Sequence, residues 1–148
     1  MAGNLTHSVA DIVRNLIIDL SLGTLPSSSA AWPVFAEREP DKPDNCITVY
    51  GSQGRDQGRM MIDGEREIQH GVQISVRSQS TTTGHQKALT IATTLDDSVK
   101  QTSVTFSTKT YLVHSVNRTS DVLYAGKDPD TKRNLFTINA VVPLEQTV

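Results

Sequence analysis

The sequence predicts an α+β fold: a mostly antiparallel β-sheet with two α-helices packed on one face. Three patterns carry that expectation. Val9, Ile12, Val13, Leu16, Ile17 and Leu20 recur at the spacing of one helical face. Ile68, His70, Val72, Ile74 and Val76 alternate with Gln69, Gly71, Gln73, Ser75 and Arg77, the period of two that marks a strand with one buried face. Ala88, Ile91, Ala92, Leu95 and Val99 then make a second helical stripe, placed to fold back over that strand. Helix, strands, helix, strands is the order of a layered α+β domain.

The bulk properties bound what else is possible. A chain of 148 residues is expected to make one domain over 1–148. It is long enough to bury roughly two-thirds of its unfolded surface. The formal net charge of −2 offers no general attraction to nucleic acid or to an anionic membrane. No apolar run approaches the ~20 residues of a membrane span, and residues 1–4 show neither a basic start nor an apolar core of a signal peptide. Cys46 is the only cysteine, which fits a reducing compartment. Aromatic residues make up only 5% of the chain, so Trp32, Phe35 and Phe136 are expected to anchor the core.

Taken in order, the chain opens with a short N-terminal segment, 1–6, expected to be flexible. Ser8 with Asp11 reads as a capping box for the first helix, and Gly23 and Pro26 as its stop. The five or six apolar side chains of this helix are worth about 1.5–3 kcal/mol each when buried, so it needs a partner surface. Ser27, Ser28 and Ser29 read as a linker. Residues 32–37 read as an edge strand, because Pro33 cannot donate to a ladder. Residues 37–45, with Pro40 and Pro43, read as an extended surface loop, and 46–50 as a short β-branched strand.

Residues 51–64 hold Gly51, Gly54, Gly58 and Gly64 among polar residues and read as a long loop, a type that usually binds something. The long strand, a turn at 78–83 and the second helix follow. Asp96 and Asp97 place negative charge at the helix C-terminus, where fraying is expected. Residues 102–106 and 111–116 read as strands joined by a turn, 122–124 as a brief strand, and 125–130 as a loop. Residues 133–142 close the sheet. Pro143 is expected to end this last strand and to leave a polar tail, 143–148.

The sequence displays no catalytic or metal-binding pattern, and no cofactor is expected. His7, His70, His85 and His114 form no metal-ligand spacing with each other, with cysteine or with carboxylates. Cys46 reads as a small buried hydrophobe. A Cys46–histidine nucleophile would need an orienting third group. Residues 51–58 lack the GK[ST] ending of a phosphate loop and precede a strand, not a helix. Asp63, Glu65 and Glu67 read as solvated carboxylates. Arg55, Arg59 and Arg66 make a local basic patch without the aromatics of a single-strand stacking surface. The polar strand face, with Gln73 and Arg77, is expected either to meet water or to meet a neighbouring subunit.

The stretches Pro43-Asp44-Asn45-Cys46-Ile47-Thr48-Val49-Tyr50, Asp63-Gly64 and Gly71-Val72-Gln73-Ile74-Ser75-Val76-Arg77, with the helix of Ala88, Ile91 and Leu95, resemble the tail terminator (minor capsid) proteins of long-tailed bacteriophages. The N-terminal helix matches that family's layout as well. The resemblance spans roughly residues 8–142. It implies a tail-terminator-like fold without an active site. It implies a six-membered ring that caps the finished tail tube, stops its polymerisation and presents a docking surface to the connector or stopper of the filled head. Its implied partners are further copies of itself, the tube protein and the connector, with genomic DNA passing through the lumen without sequence-specific binding and no membrane. Such a protein is made in the host cytoplasm and becomes part of the virion. By analogy the assembly contacts are expected at Arg55, Asp56, Arg59, Arg66, Gln73 and Arg77. Three other readings compete: another neck protein such as a head-completion, stopper or connector ring; a small enzyme using Cys46 or a histidine; and a nucleic-acid-binding module, which the net charge disfavours.

Overall fold

The computed structural model describes residues 5–26, 31–59 and 66–147, with the backbone alone at 53–59 and 66–68. The expected linker at 27–29 and most of the N-terminal segment 1–6 lie outside the described residues. In chain order the elements are α1 (Val9–Asp19), β1 (Val34–Ala36), β2 (Cys46–Arg59), β3 (Arg66–Ser78), α2 (Thr81–Ser98), β4 (Thr102–Phe106), β5 (Lys109–Val113), β6 (Asn117–Arg118), β7 (Leu123–Lys127) and β8 (Asn134–Gln146). This is the α+β architecture that the hydrophobic periods predict.

The sheet runs β1-β2-β3-β8-β5-β4, and β6 and β7 also pair with β8. β8 is the hub. One edge pairs with β3 from Gln69↔Pro143 to Ser78↔Asn134. The other edge is shared in succession by β7, β6 and β5. Only β1 departs from antiparallel order, lying parallel to β2 as an edge strand.

Both helices bury their stripes in one apolar cluster. Ile12, Val13, Leu16 and Ile17 of α1, and Ala88, Ile91, Ala92 and Leu95 of α2, join Ile47, Val49, Val72, Ile74, Val76, Phe136 and Ile138 from the sheet. Alternation along the strands puts all of those sheet residues on one face. The Ser8 hydroxyl accepts from the Asp11 amide at 3.2 Å and donates to the Asp11 carboxylate at 3.0 Å, which caps α1. α1 ends with Ser21, not Gly23, in the left-handed region (φ 62°). Gly23 serves close approach instead, since a Cβ there would meet Val34 Cγ2 at 2.3 Å and the Trp32 carbonyl at 2.9 Å.

Several expectations are corrected by tertiary context. Residues 51–59 are strand, not loop. Arg55↔Gln69, Asp56↔Ile68 and Arg59↔Arg66 continue the β2–β3 pairing, while residues 60–65 lie outside the described residues. Gly54 and Gly58 fall at the two register shifts, so glycines that read as a loop mark bulges in a ladder. β7 likewise extends to Lys127, and Gly126 (φ 114°) sits at its irregularity.

Pro143 does not end β8. It occupies the last pair with β3, where a missing N–H is tolerated, and its carbonyl accepts from the His114 amide at 3.0 Å. The strand continues to Gln146, whose side chain accepts from the Thr6 amide and hydroxyl at 2.9 Å, tying the N-terminal segment down. β5 runs Lys109–Val113, so the expected strand at 111–116 begins two residues earlier, takes in the expected turn residue Lys109, and ends three residues earlier. α2 does not stop at its acidic end, because Asp96 is held by Arg118 Nε at 2.9 Å and Nη2 at 2.8 Å. Phe136 is a core anchor, whereas Trp32 and Phe35 are only half-buried.

Candidate assembly surface

The β2–β3 hairpin outruns the rest of the sheet. β1 stops pairing with β2 at Val49, and β8 stops pairing with β3 at Gln69. A last tie is the Glu37 carboxylate, which accepts from the Gly51 amide at 3.0 Å. From there the outer edge of β2 is unpaired, and beyond the Arg55–Gln69 pair the hairpin continues to Arg59 and Arg66 for about 10 Å at the rise of a β-strand, with no third strand beside it among the described residues. Asp56, Arg59 and Arg66 therefore lie together on one two-stranded arm with Arg55 at its base; their side chains are outside the described residues.

Gln73 sits back on the body, half-buried, in a row with Tyr50 and Asn139. Arg77 is placed differently again. It is 7% exposed, and it donates to the backbone carbonyls of Pro43, Asp44 (3.4 Å) and Asp41 (3.5 Å), with Glu39 at 3.9 Å. It pins the 37–45 loop across the second face of the sheet. Ser75 and Thr48 on that face are buried too, so this part of the polar face does not meet water. Alternation identifies which residues share a face but not what covers it.

We expect Arg77→Met to cost about 1–3 kcal/mol, because the loop carbonyls lose a charged donor that water replaces only in part. Urea unfolding measures the loss, and limited proteolysis should cut within 37–45 more readily. Unchanged stability and cleavage would show that the loop holds itself.

The end of the sheet opposite the arm carries groups the sequence did not single out. Arg133, 8% exposed, donates to Asp44 Oδ1 through Nε at 2.8 Å and Nη2 at 2.7 Å, across 89 positions of sequence. No local pattern could have paired them. A depression of about 350 Å³ lies beside this pair, lined by Glu39, Arg77, Lys127, Asp128, Arg133 and Leu135 among others. Along it runs β7, whose outer edge has no partner strand among the described residues. Leu123 and Tyr124 on this strand are 48% and 53% exposed. Open edges in solitary proteins usually carry charge or proline instead.

The reactive side chains are occupied within the fold. Cys46 is fully buried, and burial pushes its thiol above the ordinary range, away from the nucleophilic thiolate. His7 Nδ1 lies 2.6 Å from the Tyr111 hydroxyl and its ring meets Phe106 edge-on. His114 Nδ1 lies 3.0 Å from Gln101 Oε1. His85 meets the edge of Phe136. No group of three metal-ligating side chains converges among the described residues, and no described helix is long and apolar enough to cross a membrane. A second, wider depression is lined by Asp96, Arg118 and Asp121, but Arg118 is paired with both carboxylates there.

His70, half-buried beside the base of the arm, has its pKa pushed down by burial. The unfolded chain then takes up a proton near pH 6.5 while the folded chain does not. This contribution to stability is complete above that pH and falls as pH drops through it. His70→Gln should accordingly lose less stability than the parent between pH 7 and pH 5, as read by urea titration; parallel curves would remove His70 from the acid response.

Searches among curated proteins find no match. Among solved structures the fold is similar to a chain in the virion of a native gene transfer agent particle, at 11% identity and a TM-score of 0.49, covering 76% of this chain and 78% of that one. A family profile described as "Bacteriophage tail terminator protein" matches residues 16–140, which take in all of α2, most of the sheet and the last turn of α1. The chain thus belongs to the bacteriophage tail terminator family and is a structural protein of the phage tail.

Proposed function

We propose that the chain, acting as a single domain, forms a ring of six copies that caps the finished tail tube, ends its polymerisation and presents the surface on which the connector of the filled head docks. The arm is the observation that supports this most directly. An isolated two-stranded hairpin is marginal in water, so one carried beyond its sheet is suited to bind another surface. Arg55, Asp56, Arg59 and Arg66 on the arm are its contact residues, and Gln73 adjoins them on the body. Arg77 contributes by holding the 37–45 loop. A ring is a head-to-tail assembly, in which each copy uses two different patches. The protein is made in the host cytoplasm and stays in the virion, where genomic DNA passes through the ring without sequence-specific contacts.

Tail tubes polymerised from their own subunit test this reading. Added protein should appear by electron microscopy as one ring at the tube end, and tube growth should stop. Binding along the tube, or no binding while filled heads are bound instead, would reassign the chain to another position in the neck.

A further inference from the structure

We infer that the arm of one copy lies along the open β7 edge of the next, its arginines meeting the carboxylates beside that edge. This rests on the ring reading and adds which two patches meet.

Topology supplies the first argument. The β3–β8 register puts the arm at the Gln69↔Pro143 end of the sheet, whereas β7 pairs with residues 134–137, at the other end. A two-fold contact that joined these features would use both at one seam, arm on β7 and β7 on arm, and would close at two copies. A head-to-tail contact joins opposite ends, which is where these two features are.

Backbone chemistry supplies the second. Beyond Val49 the outer edge of β2 has no described partner strand, and β7 has one only on its β8 side. Laid side by side, two open edges satisfy each other's N–H and C=O groups, as in strand addition. Of the described sheet edges, β7 is the one with large exposed apolar side chains, Leu123 and Tyr124, which such a strand would cover.

Charge supplies the third. In sequence the hairpin carries Arg55, Arg59 and Arg66 among the carboxylates Asp56, Asp63, Glu65 and Glu67, so the arginines act as individual donors and not as a net positive arm. Near β7 the exposed carboxylates besides Glu39, which faces Arg77, are Asp41, Asp128 and Asp130, interspersed with lysines. The arginines at this end, Arg77 and Arg133, are engaged within the subunit. Carboxylates are thus left for incoming guanidinium groups, which pair with them in a directional fork.

A charge swap in the full-length protein tests the contact. Arg55→Glu with Arg59→Glu reverses the arm; Asp41→Arg with Asp130→Arg reverses the receiving end. Each variant should keep the parent circular dichroism spectrum and bind itself at least tenfold more weakly by sedimentation velocity. An equimolar mixture should recover rings, because every arm then faces a complementary end. Leu123→Asp should weaken assembly by a similar factor. Variants that assemble like the parent, or a mixture without rescue, overturn the contact while rings of the parent leave the ring reading standing. A parent chain that closes no ring, alone or on tubes, overturns both.

Discussion

Replacing residues 56–68 by an Asn-Gly turn across the Arg55–Gln69 pair leaves the subunit folded and abolishes its self-assembly. The fold survives because the apolar cluster that seats both helices is built from residues outside the replaced segment. Every sheet neighbour of β8 is retained as well, since β3 meets it only from Gln69 onward. A two-residue Asn-Gly loop suits the twist of an antiparallel pair. Urea unfolding should therefore shift by no more than about 0.5 kcal/mol, the scale of changes away from core and caps. Assembly is lost because, among the described strands, the arm is the one that reaches past the sheet. Sedimentation velocity and electron microscopy on tubes read the result. A shortened chain that still closes rings and arrests tubes would remove the arm from the contact, whatever its sequence.

Phe136→Ala should cost about 3–5 kcal/mol, the range for truncating a buried aromatic side chain. Phe136 is 2% exposed and stands where β8, α2 and β7 converge. Its ring meets His85 edge-on with centroids 5.8 Å apart and lies tilted against Tyr124 at 5.2 Å. Gly84 brings the helix backbone down onto it: a Cβ there would lie 2.7 Å from Phe136 Cε2. A glycine cannot reach into the space that the missing ring leaves, so the site collapses poorly, and poor collapse is what raises such costs. Against a total stability of about 5–15 kcal/mol, this is a large fraction. The midpoint of urea denaturation measures it, with the slope watched for a change in the unfolded state. A loss below about 1.5 kcal/mol would mean that α2 packs on the sheet without this ring.

Much of the core could be read from spacing. The stripes at 9–20 and 88–99 and the alternation at 68–77 each name residues that the structure buries, because a helix and a strand impose fixed periods on the side chains they turn inward. The resemblance to tail terminators rests on those same stretches and agrees with the family match.

What surrounds the core was less legible. Glycine at 54 and 58 has the same local preference in a loop as in a bulge, and only the opposing strand distinguishes them. Pro143 breaks a strand unless its missing N–H falls where none is needed, which depends on the partner at Gln69. Asp96 frays a helix end unless an arginine from another element arrives, and Arg118 does.

By itself, the sequence determined the two helical stripes, the buried face of the long strand and the side of each strand on which its apolar residues lie. Those follow from interactions within a few residues of chain and from the periods they impose. Only the tertiary structure decided that 51–59 is strand and not a loop, that Arg77 and Arg133 clamp the 37–45 loop, and that the outer edge of β7 has no partner strand among the described residues. These are pairings between residues tens of positions apart, which local spacing does not encode and only the packed sheet brings together.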